Sequence, residues 1–260
     1  MHGGIIGDIV GSIYEDRNMK TKDFPFWSDK CHFTDDTVLT IATADCIMNR
    51  GKFENYYYSY ATEYPHCGYG TGFMKWLFTK KYRNKFIPYG SYGNGSAMRV
   101  SPTGWTYNSI DDVKQMSKIS AKCTHNSVEG IRGAQAIACS VFLAKMNAEK
   151  KTIKQFVENE FYYDFSLPIS VVKKNYRWNA TCQNTVPQAI LSFLESKDFE
   201  DSIRNAISFG GDSDTIACMA GSISEAYYGI PLDIQMKALE YLPVKFQKVL
   251  NRFAYTFNVK

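Results

Sequence analysis

Residues 210–216, Gly-Gly-Asp-Ser-Asp-Thr-Ile, place two carboxylates and two hydroxyls within four residues, behind a glycine pair. An apolar run of small residues follows, reaching Tyr228. A second cluster of the same chemistry, Thr34-Asp35-Asp36-Thr37, stands near the other end of the chain. Each cluster opens a segment of helical period, where free N–H groups and the helix dipole favour hydroxyls and negative charge. Two readings are open. The clusters are ordinary helix caps lying apart, or the fold brings them face to face, and four converging carboxylates then need a cation between them. Ligands that are all oxygen, with no His or Cys, select Mg²⁺, Mn²⁺ or Ca²⁺ over zinc. Thr34 and Thr215 would complete the shell.

The intervening sequence is helical in period. Ile5, Ile6, Ile9, Val10 and Ile13 recur at three- and four-residue spacing, so residues 3–14 predict a helix. Its glycines (Gly3, Gly4, Gly7, Gly11) are poor helix formers and suit a close helix neighbour. Thr34 caps a predicted helix to about Asn49, and further helices are predicted over 53–63 and 70–80. Ser109 with Asp112 reads as the start of a helix to about Lys122. The pattern continues over 126–146, 186–195, 199–208, 214–228, 232–241 and 243–254. Val171-Val172 and the Phe161–Phe165 region are too short to build a sheet. The expected fold is all-α, with residues 1–260 as one compact domain and no linker or repeat.

Composition narrows the class. Hydrophobic residues are 45% of 260, enough for a globular core. The net charge is +4 and the basic residues are scattered, in short groups such as Lys80–Lys85 and Lys173-Lys174. That dispersion argues against a nucleic-acid surface. Seven cysteines without a CxxC pair fit free thiols in a reducing compartment. No stretch is long and apolar enough for a membrane span, and the N-terminus lacks the basic start of a signal peptide. The expected location is cytoplasmic.

Three further features bear on chemistry. The loop Gly90-Ser91-Tyr92-Gly93-Asn94-Gly95-Ser96-Ala97-Met98-Arg99 is either a plain turn or a backbone cradle for phosphate; it matches neither a Walker nor a Rossmann fingerprint. His125, just before the 126–146 helix, is either structural or a donor to a sugar hydroxyl or phosphate. Glu15, read alone, is a solvated charge.

Taken together, Gly-Asp-Ile-Val-Gly-Ser-Ile-Tyr-Glu (7–15), Thr-Asp-Asp-Thr (34–37), Gly-Ser-Tyr-Gly-Asn-Gly-Ser-Ala-Met-Arg-Val (90–100), Thr-His-Asn (124–126) and Gly-Gly-Asp-Ser-Asp-Thr-Ile-Ala (210–217) resemble the ADP-ribosylglycohydrolase family. The motifs occur in the family's order over residues 3–229. The resemblance implies a helical fold with two Mg²⁺ ions (Mn²⁺ being the alternative) held by Thr34, Asp35, Asp36, Asp212, Asp214 and Thr215. It assigns Glu15 to the mobile glutamate near the metals. It assigns Gly90, Ser91, Tyr92, Gly93, Asn94 and Gly95 to the diphosphate loop, and His125 to the ribose-phosphate side. The implied activity removes ADP-ribose from a modified protein, with Glu15 or one of Asp35, Asp36 and Asp212 carrying protons. Gly-Ser-x-Tyr-Glu leans toward serine over arginine as acceptor. O-acetyl-ADP-ribose, poly(ADP-ribose) and a non-catalytic ADP-ribose binder remain alternatives.

Overall fold

The computed structural model describes residues 1–259, apart from the side chain of Asp16. Fifteen α-helices are present among them: α1 (His2–Gly11), α2 (Asp35–Met48), α3 (Phe53–Glu63), α4 (Thr71–Arg83), α5 (Gly95–Met98), α6 (Ser101–Thr106), α7 (Ile110–Lys122), α8 (Val128–Lys145), α9 (Lys150–Phe161), α10 (Ile169–Asn175), α11 (Cys182–Leu194), α12 (Phe199–Ile207), α13 (Ser213–Tyr228), α14 (Leu232–Leu239) and α15 (Val244–Phe257). Strand-like pairing among the described residues is confined to one bridge, Gly93 with Thr181. The all-α expectation is met, and no helix is long and apolar enough to cross a membrane.

The core is organised on α13, which is buried continuously from Ser213 to Glu225. Helices α1, α8, α11 and α12 pack around it. A helix enclosed on all sides must be apolar or small all round, and Ile216-Ala217-Cys218-Met219-Ala220-Gly221 meets that condition. The glycines of α1 face α13 at a distance that admits no side chain. A Cβ on Gly7 would lie 2.1 Å from the Ala217 carbonyl oxygen, and one on Gly3 would lie 2.2 Å from that of Gly221. At the far end Glu225 accepts hydrogen bonds from the amides of His2 (3.2 Å) and Gly3 (2.9 Å), satisfying two orphan donors of α1.

Caps define the other helices much as their sequences predict. The hydroxyl of Thr34 accepts from the amide of Asp36 at the start of α2, and Ser109 from that of Asp112 in α7. Ser127 caps α8 and Asp198 caps α12 in the same way. In the tail, α15 buries Phe246, Leu250 and Phe253 and packs against α2.

The structure adds helices that the sequence period does not place. α9 carries Ile153, Val157 and Phe161 at four-residue spacing, but its charged residues mask the stripe. α10 has no buried residue and therefore no apolar signal. α5 and α6 are short and carry Gly95, Pro102 and Gly104. α11 begins at Cys182, ahead of the predicted 186, with Pro187 inside it. Proline disfavours the helical turn before it, which hides this start.

The α1–α13 contact yields a direct test. Gly7→Ala gains about 1 kcal/mol of helix propensity but drives a methyl group into backbone, at a cost of about 3 kcal/mol or more. A net loss of about 2 kcal/mol is expected in denaturant unfolding, and an unchanged midpoint would refute the close approach.

Candidate functional site

The starts of α2 and α13 meet. Thr215 Oγ1 donates to Asp36 Oδ2 at 3.1 Å across 179 residues of sequence. The turn before α13 makes this possible: Gly210 and Gly211 have φ of +70° and +72°, a region that suits glycine. A Cβ on Gly210 would strike Asn18, and one on Gly211 the backbone of Trp178. The glycine pair thus lets the chain reverse against its neighbours and presents Asp212 and Asp214 inward.

A third carboxylate source is Asp8 of α1, fully buried. Asp8 falls within the 7–15 motif, which gives it no role of its own. In the structure Asp8 accepts from the Thr34 amide (2.9 Å), the Thr34 hydroxyl (2.7 Å), and the amide (3.1 Å) and hydroxyl of Thr37. A lone aspartate on an apolar helix face must find such donors, and the sequence does not say which.

Glu15, Thr34, Asp35, Asp36, Asp212, Asp214 and Thr215 all line one cavity of 420 Å³, together with Ser91, Gly93, Asn94, Gly95 and His125. Gly90 and Tyr92 line an adjoining cavity with Trp178. Two overlapping acidic groups stand at the first cavity, Asp8, Asp36 and Asp214, and Glu15, Asp212 and Asp214, and all of them but Asp8 line it. Each group offers oxygens that lie within 4.8 Å of one another, and Asp214 belongs to both. Asp35 lines the same cavity but belongs to neither group; its amide donates to the Cys67 carbonyl at 2.7 Å.

Electrostatics follow from this crowding. Burial, then Asp8 and Asp212, push the Asp35 carboxyl up to about 8. Burial and neighbouring aspartates hold Asp36 and Asp214 well above the usual carboxylate range. Burial also raises Asp8 and Asp212, partly opposed by their hydrogen bonds. Asp36 Oδ1 is buried with no hydrogen-bond partner among the described residues. Such an orphaned oxygen, inside a set of hard oxygen donors, fits a divalent cation better than it fits a purely structural role.

The loop at 90–95 is more occupied than a simple phosphate cradle. Its amides at Gly90, Gly93 and Asn94 donate to Asn126 Oδ1, Ser91 Oγ and the Ala180 carbonyl. Asn94 turns its side chain to the acidic cluster, donating to Asp212 Oδ2 at 2.6 Å. The amides of Ser91 and Gly95 have no such bond among the described residues, and both residues face the cavity. His125 is 4% exposed. Burial, and then the Arg99 charge, hold its imidazole well below its ordinary pKa. Arg99, at the end of the predicted loop but given no role of its own there, and Trp178, which the sequence does not single out, also line the cavity.

A family model described as ADP-ribosylglycohydrolase matches residues 1–255. The human ADP-ribosylhydrolase ARH3 is 28% identical over 306 aligned positions, covering 88% of this chain and 84% of the human protein. The ADP-ribosylarginine hydrolase Tri1 of Pseudomonas putida (strain GB-1) is 26% identical, covering 88% of this chain and 69% of its own length. A solved ADP-ribosylglycohydrolase-related protein complex superposes with a TM-score of 0.68 at 19% identity, covering 97% of this chain and 96% of that one. At that identity the likeness speaks to the fold.

The raised carboxyl of Asp35 has a consequence for stability. Its ordinary value is 3.8 and its folded value about 8, so between roughly pH 4 and pH 8 the folded protein holds a proton that the unfolded chain has lost. Its stabilising contribution is complete below about pH 4 and is lost as pH rises through about 8. A divalent cation favours the ionised carboxylates and offsets this loss. In chelator the melting temperature should fall over this range, and Mg²⁺ or Mn²⁺ should raise it more at about pH 8 than at about pH 5. Equal shifts at both pH values would contradict the assignment.

Proposed function

The chain belongs to the ADP-ribosylglycohydrolase family, and on that footing we propose that it hydrolyses the glycosidic bond between ADP-ribose and a modified protein side chain, arginine or serine. Hydrolysis of ADP-ribosyl bonds accords with the names of its relatives, and the acceptor and the metal are this proposal's own content. The crowding of buried carboxylates around Asp214, with Asp36 Oδ1 unpartnered among the described residues, carries the reading, because such a set suits divalent cations.

Thr34, Asp35, Asp36, Asp212, Asp214 and Thr215 would hold two Mg²⁺ ions, or Mn²⁺ in their place. When bound, such ions orient sugar hydroxyls and make water a better nucleophile at neutral pH. The rest is work for the chain's own residues. Buried carboxylates stabilise the positive charge that develops at the anomeric carbon as its bond to the acceptor breaks. Glu15, with an oxygen within 4.8 Å of oxygens on Asp212 and Asp214, would take a proton from the attacking water and return one to the departing oxygen or nitrogen. Asn94 holds Asp212 in register with the loop. Ser91 and Gly95 offer amides to the diphosphate, with Gly90, Tyr92 and Gly93 shaping the loop around it.

The assay uses peptides mono-ADP-ribosylated on arginine, serine or cysteine, with Mg²⁺ or with chelator, and follows free ADP-ribose. Release from the arginine or serine peptide is expected, and only with the cation. Asp212→Asn and Asp214→Asn should each lower turnover at least about 100-fold while the circular dichroism spectrum is unchanged. Release that survives chelation would overturn the metal dependence, and near-normal turnover in both variants would overturn the ligand set. ADP-ribose binding without release from any peptide would identify a non-catalytic binder.

A further inference from the structure

Two residues from the motifs at 90–100 and 124–126, Arg99 and Thr124, have no part in the reaction as derived above. Both are fully buried, and they form a chain that ends on His125. Arg99 Nη2 donates to Thr124 Oγ1 at 2.8 Å, and Thr124 Oγ1 lies 2.7 Å from His125 Nδ1. We propose that Arg99 and Thr124 are positioning residues that hold His125 in its neutral Nε2–H form, so that it presents one fixed hydrogen-bond donor to an anionic ligand oxygen in the cavity.

Donor and acceptor chemistry leads to this form. A guanidinium only donates, so Thr124 Oγ1 must be the acceptor in the bond from Arg99. The threonine hydrogen then has, among the described residues, one acceptor within reach, His125 Nδ1. A neutral imidazole that accepts at Nδ1 carries its hydrogen at Nε2. The alternatives are costly. With hydrogen on Nδ1, whether in the other tautomer or in the imidazolium, Thr124 would accept from two donors and its own hydrogen would be stranded in a fully buried site. The imidazolium would also add a second positive charge beside Arg99.

The Nε2 edge lies against the loop glycines beside the ligand space. A Cβ built on Gly95 would lie 3.3 Å from Nε2, and one on Gly93 would lie 3.7 Å from it, and both glycines line the cavity. Arg99 supplies the charge that His125 lacks. Its guanidinium lies 4.0 Å from the centre of the Tyr57 ring, it forms no ion pair among the described residues, and its Nε and Nη1 have no hydrogen-bond partner among them. A buried cation without a carboxylate favours an anion nearby, and that anion would be the diphosphate of the proposed substrate. The choice of ligand rests on the proposed function; the imidazole form does not.

The experiment therefore has two arms. Proton–nitrogen NMR of the histidine rings in the cation-free protein at about pH 7, with His125 assigned by the spectrum of His125→Gln, should show a neutral Nε2–H ring. An Nδ1–H ring or an imidazolium would overturn the proposal without reference to any substrate. In the second arm, Thr124→Val should release the lock, giving mixed tautomers, and weaken ADP-ribose binding about tenfold by calorimetry, with Thr124→Ser restoring both. A valine variant that keeps the Nε2–H ring and full affinity would overturn it too. If Thr124→Val does not fold, the wild-type ring spectrum decides. An Nε2–H ring in a protein that binds no ADP-ribose would leave the relay standing and remove the diphosphate as its ligand.

Discussion

Asp8 is the contact on which the site's construction depends. It joins the middle of α1 to the first turn of α2 through four hydrogen bonds, two from amides and two from hydroxyls. Because α1 is pressed against α13 along its glycines, fixing α2 to Asp8 also fixes the distance between Asp36 on α2 and Asp214 on α13. Three helix segments are thereby locked with their carboxylates together. Burying that much negative charge opposes folding unless protons or cations accompany it. The raised carboxyls record the proton solution, and a divalent cation is the other.

The cavity is polarised. Asp36, Asp212 and Asp214, with Asp8 behind them, make one set of groups strongly acidic, while Arg99, buried and without a carboxylate partner among the described residues, makes another cationic. The loop at 90–95 connects the two, since Asn94 donates to Asp212 and the loop's Gly93 and Gly95 lie against His125. A ligand suited to both must present a metal-binding or cation-like part and an anionic part in sequence. ADP-ribose has that order, with sugar hydroxyls on its terminal ribose and a diphosphate behind them.

Much of this was legible in the residues. Capping signals place α2, α7 and α13, because a hydroxyl or carboxylate ahead of an apolar period supplies the acceptor or the negative charge that the free amides of a first turn require. The glycines of α1 announced a close neighbour, though not that α13 was the neighbour. Asp8 was not legible as a site residue, since a single aspartate does not name its donors until Thr34 and Thr37 arrive from another helix. Arg99 and Thr124 were invisible in the same way: their meaning lies in a contact chain between the end of α5 and the end of α7 that no spacing encodes. α10 was missed for the opposite reason, having no buried face to create a pattern.

These misses share a physical origin, and it bears on how the site works. Sequence period reports which faces are apolar, so it finds helices that bury oil and overlooks polar groups buried through specific partners. The groups that set charge state here (Asp8, Arg99, Thr124) are all of the second kind. Their hydrogen bonds fix which atoms are donors and which are acceptors before any ligand arrives: Asp8 as acceptor only, Arg99 as donor only, Thr124 as the joint between a donor and His125. A site assembled from such one-way groups has little freedom to reorganise when charge appears in it, and that rigidity is what electrostatic stabilisation of a developing cation requires.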